Sequence, residues 1–389
     1  MNSQPFVVSI RKTDHMTTIT TPNVGHSSET FDPLNLYPPM LRIGHRYEIS
    51  LGQRLAQGGF KGPQDVAVGP DGWLYVINRF SESGTAVPRS RFVRVRLDDD
   101  GYENDIVISL SGEPDVVGSE TLPSPVMCTI DNNGILYVTD EHAGVVARFD
   151  SSTGAAVDHW GKTGDKPGEL NGPSGITLDS DGNVWVVSTL NHRLERFSPN
   201  GNHISGFGSF GIKPGQLNHP WGIASDPITN TLMVADWRND RLQRFNYDGE
   251  LLQVIGKSGN GPGELNRPSG VAIDSHGDIY VADRNNHRVV MFNPRGMYIE
   301  SFRGDATLNE RGIRKLMTNL DMVRIRENVV NLDDEKRFKN PTSVTIGPDG
   351  SILMVDSGRY RIQVYKKLCR ELSPDEIDPH DIHMDPELT

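Results

Sequence analysis

A repeated segment that begins at a proline constrains the fold of this 389-residue chain more than any other feature. Three copies read Pro-Ser-Gly-Ile-Thr-Leu-Asp from Pro173, Pro-Trp-Gly-Ile-Ala-Ser-Asp from Pro220 and Pro-Ser-Gly-Val-Ala-Ile-Asp from Pro268. In each copy, a turn, an apolar run and a segment from arginine to phenylalanine follow. Weaker copies begin at three further prolines, namely Pro63, Pro125 and Pro341. Self-similarity of this kind is the signature of a repeat architecture.

The period and composition of the repeat predict the kind of unit it forms. The six starts are 62, 48, 47, 48 and 73 residues apart, so a base period of about 48 residues carries two insertions. Each period holds three or four short runs rich in Val, Ile, Tyr and Phe and bounded by Gly, Pro, Asn and Asp, which is typical of strands and turns. One antiparallel sheet per repeat predicts an all-β chain folded as a six-bladed β-propeller.

The chain also supplies a strand that can close the ring. The sixth repeat lacks an outer strand after residues 361–365, and a strand-like run at residues 47–51 precedes the first repeat. Because an open array would leave an unpaired strand edge, we expect these segments to pair and the N-terminus to complete the last blade. The expected organisation is an N-terminal extension over residues 1–42, the propeller over 43–366 with a partly helical insertion at 303–339, and an acidic tail over 367–389.

Composition disfavours several classes of protein. The formal net charge of −12 argues against nucleic acid as a partner, because a polyanion requires a basic surface. No stretch approaches 18 apolar residues, as a transmembrane helix would need, and the first residues do not resemble a secretory signal. Two cysteines, Cys128 and Cys369, cannot form a disulfide framework. We therefore expect a soluble cytoplasmic protein with no membrane partner and with both thiols reduced.

The fifth repeat resembles the NHL repeat. Its strings Pro-Ser-Gly-Val-Ala-Ile-Asp and Tyr-Val-Ala-Asp-Arg-Asn-Asn-His-Arg-Val lie within residues 265–292, and related strings cover about residues 45–365. The resemblance implies a six-bladed propeller of NHL repeats. Proteins of this family include RNA-binding regulators, receptor sensor domains, scaffolds and a zinc lyase that cleaves peptidyl-α-hydroxyglycine. The fold by itself therefore does not assign a function.

Candidate functional residues are those that vary between repeats at two positions expected to face the central channel. One position follows the proline that begins each repeat, and the other follows the residue that ends the next strand. Four repeats place an arginine at or beside the second position: Arg79, Arg238, Arg284 and Arg359. Converging guanidinium groups repel one another unless an anion or carboxylates lie between them, and their planar shape suits a carboxylate or phosphate. The sequence predicts either a site for a small anionic ligand or a ring of internal salt bridges, with Glu141 and Asp65 as available carboxylates.

Two tryptophans and a Glu–His pair complete the predicted site. Trp221 and Trp237 occupy the two positions in the fourth repeat, where they either form an aromatic wall of the site or fill the channel. Glu141 is followed by His142, and a pair of this kind beside a channel can hold a general base. A surface histidine without a catalytic role is the alternative.

Comparison with the zinc lyase shows which of its functional residues have counterparts in this chain. In that enzyme two of the zinc-binding histidines directly follow the proline of an inner strand. Here that position holds Gln64, Val126, Ser174, Trp221, Ser269 and Thr342. The zinc site therefore does not transfer, and the metal content stays open, with a divalent metal held by oxygen ligands in the channel as one expectation. The lyase string around a carboxylate-binding arginine does match residues 281–286, so the resemblance implies a carboxylate-binding role for Arg284.

These observations favour a small-molecule site with chemistry of the lyase or hydrolase type on a carboxylate-bearing substrate. The predicted catalytic residues are Glu141 and His142. The predicted substrate-binding residues are Arg79, Trp221, Trp237, Arg238, Arg284 and Arg359. The alternative is a non-catalytic scaffold that docks a protein partner through the insertion at 303–339 or the basic rim. RNA binding is disfavoured by the net charge and by the lack of Lys-rich segments interleaved with aromatics.

Overall fold

A computed structural model of the chain describes residues 31–52, 60–79, 91–97, 106–109, 122–308, 313, 316–328 and 331–373. Within these residues the chain forms six four-stranded antiparallel sheets. Strands are numbered β1 to β24 along the chain, and the sheets are called blades one to six in the order of their inner strands. The prediction of an all-β six-bladed propeller is confirmed.

The position of a strand within its blade repeats regularly along the chain. The inner strands are β2 (Pro63–Val68), β6 (Pro125–Ile130), β10 (Pro173–Leu178), β14 (Pro220–Asp226), β18 (Pro268–Ile273) and β22 (Pro341–Ile346). The second strands are β3 (Leu74–Asn78), β7 (Ile135–Asp140), β11 (Val184–Ser188), β15 (Thr231–Asp236), β19 (Ile279–Asp283) and β23 (Ser351–Asp356). Every inner strand begins at a proline that the repeat predicted.

The outer half of each blade follows the same order. The third strands are β4 (Arg91–Val95), β8 (Val145–Asp150), β12 (Arg193–Phe197), β16 (Arg241–Asn246), β20 (Arg288–Phe292) and β24 (Arg361–Glu371). The outer strands are β5 (Ile106–Ser109), β9 (Ala156–Trp160), β13 (His203–Phe207), β17 (Leu251–Ile255), β21 (Tyr298–Phe302) and, in blade six, β1 (Met40–Leu51). Neighbouring inner strands contact one another around the whole ring, including β22 with β2.

Among the described residues, helical structure occurs in short segments. Two helices, α1 (Leu320–Glu327) and α2 (Asp333–Lys336), lie in the insertion between β21 and β22. Single 3-10 turns span Pro33–Leu36, Thr189–Asn191, Trp237–Asn239, Arg284–Asn286 and Ser357–Arg359. In the described part of the chain, none of the helices has the length and apolar character needed to cross a membrane.

The hydrophobic core lies between blades rather than inside any one sheet. Strand β15 is buried along its whole length because the side chains of a middle strand alternate between the two neighbouring blades. On one side, Val234 packs in a cluster with Trp185 and Val187 of blade three. On the other side, Met233 and Ala235 pack with residues of blade five. A single blade therefore cannot bury its own apolar surface, and the blades stabilise one another around the ring.

The N-terminal strand closes the ring in the predicted register. Tyr47 pairs with Tyr365 and Leu51 pairs with Ile362, so β1 becomes the outer strand of blade six. The pairing runs further than the periodicity indicated, because Met40 pairs with Glu371 at the far end of the two strands.

Ion pairs with blade five explain why β1 and β24 continue beyond the edge of blade six. Arg42 on β1 donates from Nε to Oδ2 of Asp278 at 3.0 Å. Lys367 on β24 lies 2.5 Å from the same carboxylate and 2.6 Å from that of Asp274. The Tyr37 hydroxyl also bonds Asp226 of blade four. These contacts tie the first described residues to three blades.

A repeated Asp–Arg pair holds the turns between the second and third strands of blades four, five and six. In blade five, Oδ2 of Asp283 accepts from Arg288 Nε at 2.8 Å, and Oδ1 accepts from the backbone N–H of Asn266 at 2.7 Å. The Arg288 guanidinium also donates to carbonyls of the approach loop, including that of Gly261 at 2.9 Å. Equivalent pairs join Asp236 to Arg241 and Asp356 to Arg361. These charges are therefore structural.

The two cysteines should differ in reactivity. Cys128 is 7% exposed, and burial first, then the nearby Asp65, raises the pKa of its thiol well above the ordinary value, whereas Cys369 is half-buried near the end of β24. Because the thiolate is the reactive form, maleimide labelling of the native protein should modify Cys369 quickly and Cys128 far more slowly until the protein is denatured. Two slow sites that reductant alone releases would contradict this expectation.

Candidate functional site

The two variable positions lie at one end of the central channel. Pro220 at the start of β14 pairs with Asp236 at the end of β15, and the other five blades show the same pairing. The residues that follow each member of such a pair are therefore at the same end. We call this end the channel mouth, and it carries Arg79, Glu141, Trp221, Trp237, Arg238 and Arg284.

Three charged side chains from blades one, two and five interact at the mouth. Nη2 of Arg79 lies 2.6 Å from Oε1 of Glu141, and the same nitrogen donates to Ser124 Oγ at 3.1 Å. Arg284 projects from the turn after β19, and no described carboxylate lies within ion-pair distance of it. This side of the mouth thus combines two guanidinium groups with one carboxylate, which is already paired with Arg79.

The environment of Arg284 is unfavourable to its charge. Burial lowers the pKa of its guanidinium, the charge of Arg79 lowers this pKa further, and Glu141 acts in the opposite direction. A charge that is partly desolvated and faces a like charge raises the free energy of the site. A bound anion would remove both penalties, since it would pair with Arg284 and screen it from Arg79.

An aromatic wall lies on the blade-four side of the mouth. The rings of Trp221 and Trp237 have centroids 6.0 Å apart at an angle of 42°. The guanidinium of Arg267 stands 4.7 Å from the Trp237 ring centroid, and that of Arg238 stands 5.6 Å from it. Trp237 therefore has two cations within cation–π distance of its ring. Of the two outcomes left open by the sequence, the packing of Trp221 against the core between blades two and three favours a wall.

Two buried donors of this wall have no hydrogen-bond partner. They are Nε1 of Trp237 and Nη1 of Arg267, and no described atom accepts from either. A buried donor left without an acceptor costs about 1–3 kcal/mol. The blade-four side of the mouth therefore offers donors to an acceptor that the described residues do not provide.

Arg267 was missed by the sequence analysis, although its position carried a signal. It directly precedes Pro268, as His219 precedes Pro220, and both residues have left-handed backbone with φ of 55° and 51°. Their backbone N–H groups donate to the preceding blade: that of Arg267 to Asp240 Oδ1 at 2.8 Å, and that of His219 to His192 Nδ1 at 3.1 Å. Residues before the proline thus join neighbouring blades, and their side chains reach the mouth.

The remaining predicted residues are placed differently. His142 is exposed on the turn beside Glu141, and the two side chains make no hydrogen bond with each other. Arg359 donates to the carbonyl oxygen of Asp334, so it holds the insertion against blade six. Asp65 is not a partner of the arginines, contrary to one alternative: it accepts from the Cys128 backbone N–H at 2.8 Å and from Ser343 Oγ at 2.5 Å, deeper in the channel. The Asp65 side chain points toward the neighbouring strands β6 and β22. It therefore bonds to these strands and not to the arginines at the mouth.

A metal site is not apparent in the described part of the chain. No group of three or more His, Cys, Asp or Glu side chains with metal-binding geometry occurs there. A divalent metal in the channel therefore stays a prediction.

Comparison with known proteins agrees with the fold. Residues 265–292 match the NHL repeat family, and residues 61–209 match the SMP-30/Gluconolactonase/LRE-like region. NHL repeat-containing protein 3 of Homo sapiens is 28% identical over 97 residues, which are 23% of this chain and 28% of the human protein. The mouse protein of the same name gives a similar match at 29% identity. The chain thus spans little more than a quarter of the length of these relatives. The chain is thus a six-bladed propeller with an NHL repeat in its fifth blade and similarity to NHL repeat-containing proteins.

Similar solved structures extend over most of the ring. A streptogramin B lyase structure superimposes with a TM-score of 0.51 at 14% identity, covering 84% of this chain and 99% of that one. A structural genomics protein of unknown function from Bacteroides thetaiotaomicron gives a TM-score of 0.53 at 16% identity, covering 84% and 76%. At these identities the likeness shows the fold alone.

Proposed function

We propose that this propeller binds a small organic carboxylate at its channel mouth and acts on it as a lyase- or hydrolase-type enzyme. The observation that carries the proposal is Arg284, a partly buried guanidinium that faces Arg79 and has no carboxylate of its own among the described residues. A ligand carboxylate bound between the two arginines would form charge-assisted hydrogen bonds, which are stronger than neutral ones.

The wall suggests the shape of the rest of the ligand. Trp221 and Trp237 offer apolar ring surface, and the free donors on Trp237 and Arg267 call for an acceptor beside that surface. A molecule with an apolar or aromatic body, an acceptor atom and a terminal carboxylate satisfies all of these groups. The carboxylate would lie toward blades one and five, and the body would lie along blade four.

Glu141 is the proposed catalytic base. When a substrate carboxylate binds Arg79 and Arg284, it competes with Glu141 for Arg79, and a less strongly paired carboxylate is a better proton acceptor. In a lyase step, Glu141 would take a proton from the carbon next to the substrate carboxylate. The C–H electron pair would become the new double bond, and the leaving group would depart with its own electrons. In a hydrolase step, the same oxygen would take a proton from water. His142, on the same turn, is the proposed proton donor to the leaving group.

The proposal is tested by Arg284→Ala. Since Arg284 has no ion-pair partner among the described residues, its removal should leave the free energy of unfolding unchanged or slightly higher. Organic carboxylates that raise the melting temperature of the wild type should bind the variant about 10–100-fold more weakly, because a hydrogen bond to a charged group is worth about 1.5–3 kcal/mol. Denaturant melts and thermal shifts with a panel of aliphatic and aromatic carboxylates measure both quantities.

A matched control removes a positive charge far from the mouth. Lys366→Ala breaks an exposed pair with Asp349 on the opposite face and should leave the response to carboxylates unchanged. The proposal fails if Arg284→Ala is strongly destabilised and neither protein responds to any carboxylate, because Arg284 would then serve the fold.

A non-catalytic scaffold is the second candidate, and one feature favours it. Phe210 and Ile212, on the approach loop of blade four, are 62% and 75% exposed. Large apolar side chains this exposed and this close together are typical of a protein-interaction surface. A scaffold predicts that Phe210→Ser together with Ile212→Ser abolishes capture of a partner, and that no carboxylate stabilises the wild type.

A further inference from the structure

A separate cavity lies on the propeller axis at the end opposite the mouth. Its volume is about 370 Å³, and its walls are formed by residues of all six inner strands, such as Val68, Ile130 and Ile273. Gly347 and Pro348, in the turn after β22, belong to the wall and place the cavity at that face. Known small-molecule sites occupy roughly 300–1,000 Å³, so this space is large enough for a small ligand. None of its lining residues belongs to the channel mouth.

Asp65 is the single charged residue among those that line this cavity. It is 4% exposed. Its carboxylate oxygens accept from the backbone N–H of Cys128 at 2.8 Å and from Ser343 Oγ at 2.5 Å. These donors are neutral, and no described Lys, Arg or His lies within ion-pair distance of Asp65.

A buried carboxylate without a counter-ion is costly, since desolvation is offset here by neutral hydrogen bonds alone. Blades two and six carry Met127 and Ser343 at the equivalent position two residues after the proline, whereas blades three, four and five have no side chain there. They carry Gly175, Gly222 and Gly270, where a Cβ would meet the neighbouring strand within 2.1–2.5 Å. Among the six blades, blade one alone therefore places a negative charge at this position.

The other walls of the cavity indicate which kind of cation could bind Asp65. They combine β-branched apolar side chains, as in Ile176, Ile223 and Val271, with uncharged polar groups, as in Thr129 and Ser225. A calcium ion takes 6–8 oxygen ligands, and the described residues contain no group of three acidic or imidazole side chains that could hold a metal. One carboxylate beside an apolar wall fits an ammonium group with a short hydrocarbon chain.

We propose that this cavity binds a small organic ammonium ion, with its nitrogen on the Asp65 carboxylate and its hydrocarbon part against the β-branched walls. The site is independent of the carboxylate site at the mouth, because the two share no residue and lie at opposite ends of the channel. Ser343 and the Cys128 backbone orient the carboxylate, and the Cys128 thiol forms part of the wall.

The test uses n-butylammonium as the probe, with n-butanol and n-butyrate as its neutral and anionic counterparts. Calorimetry and thermal unfolding of the full chain at pH 7.5 should show binding and an upward shift of the melting temperature for n-butylammonium alone. Asp65→Asn should weaken binding at least tenfold. Glu141→Gln, which removes the carboxylate at the mouth, is the matched control and should bind n-butylammonium as the wild type does.

A second measurement leaves Asp65 in place, so it decides the matter even if Asp65→Asn does not fold. In a Cys369→Ser background, n-butylammonium should slow maleimide modification of Cys128 several-fold, and n-butyrate should not. The proposal is overturned if Cys128 is not protected, if Asp65→Asn keeps full affinity, or if butanol or butyrate binds equally well. A response to calcium without a response to n-butylammonium would also overturn it.

Discussion

Deletion of residues 1–52 is expected to abolish cooperative folding of the propeller. This deletion removes β1, exposes the edge of β24 along its whole length, and takes Leu51 out of the cluster that it forms with Val364 and Val66 between blades six and one. It also removes the ion pair between Arg42 and Asp278. A large-to-small change at one buried leucine costs about 2–5 kcal/mol, and the total stability of a domain is about 5–15 kcal/mol. Loss of a whole strand therefore exceeds what the ring can absorb.

Circular dichroism, size-exclusion chromatography and denaturant melts would measure this outcome. The deleted protein should be insoluble, aggregated or non-cooperative, since an exposed strand edge promotes pairing between chains. Deletion of residues 1–30 is the matched control, because it keeps Asp32, Tyr37 and all of β1. That protein should melt as the full chain does. A soluble, cooperative protein lacking residues 1–52 would show that β1 does not close the ring.

The features of the fold that the sequence predicted are those that recur with the repeat. The prolines that begin the inner strands recur every 47 or 48 residues over the central repeats, so they located every blade, and the missing outer strand of blade six pointed to residues 47–51. The extension of β1 back to Met40 could not be read in this way. It depends on ion pairs of Arg42 and Lys367 with Asp274 and Asp278, and such pairs between distant parts of the chain leave no periodic pattern.

The sequence predicted which residues lie at the candidate site, but it did not predict which of them form ion pairs. Variation at two repeated positions identified Arg79, Glu141, Trp237 and Arg284 as residues of one face, and the structure brings them to one mouth. Which carboxylate pairs with which arginine depends on side-chain reach across the channel. Glu141 pairs with Arg79 of the adjacent blade, and this leaves Arg284 without an ion-pair partner among the described residues.

Asp65 was undervalued because its position is a glycine in the central repeats. The sequence offered it as a salt-bridge partner of the arginines, whereas the structure shows it bridging β6 and β22 below the mouth. Replacement of a glycine by a charged residue at a crowded position on the axis is a signal that could have been used. A charged residue at this position indicates either a function or a loss of folding stability. The effect on stability can be tested separately.

Asp65→Asn is expected to change how stability depends on pH. Burial raises the pKa of Asp65 to about 6, and the hydrogen bonds from Ser343 and Cys128 offset part of that effect. The facing titratable group is the Cys128 thiol, which stays protonated because its own pKa is raised. Since the folded-state pKa lies above the unfolded value of about 3.9, the native state binds the proton more tightly, and stability decreases as pH rises from about 4 through 6. The shift of about two units corresponds to about 3 kcal/mol.

Asparagine does not titrate, but its side chain has nearly the same size as that of aspartate and keeps one hydrogen-bond acceptor. The free energy of unfolding of Asp65→Asn, relative to wild type, should therefore rise by about 3 kcal/mol between pH 4 and pH 7, as measured by urea melts at a series of pH values. Asp150→Asn supplies a control of opposite sign, because hydrogen bonds from Ser152 and Thr153 lower the pKa of Asp150 to about 2. That variant should lose stability relative to wild type as pH rises from 2 to 5. A difference between Asp65→Asn and wild type that does not change with pH would show that the folded-state pKa of Asp65 equals its unfolded value and that burial does not raise it.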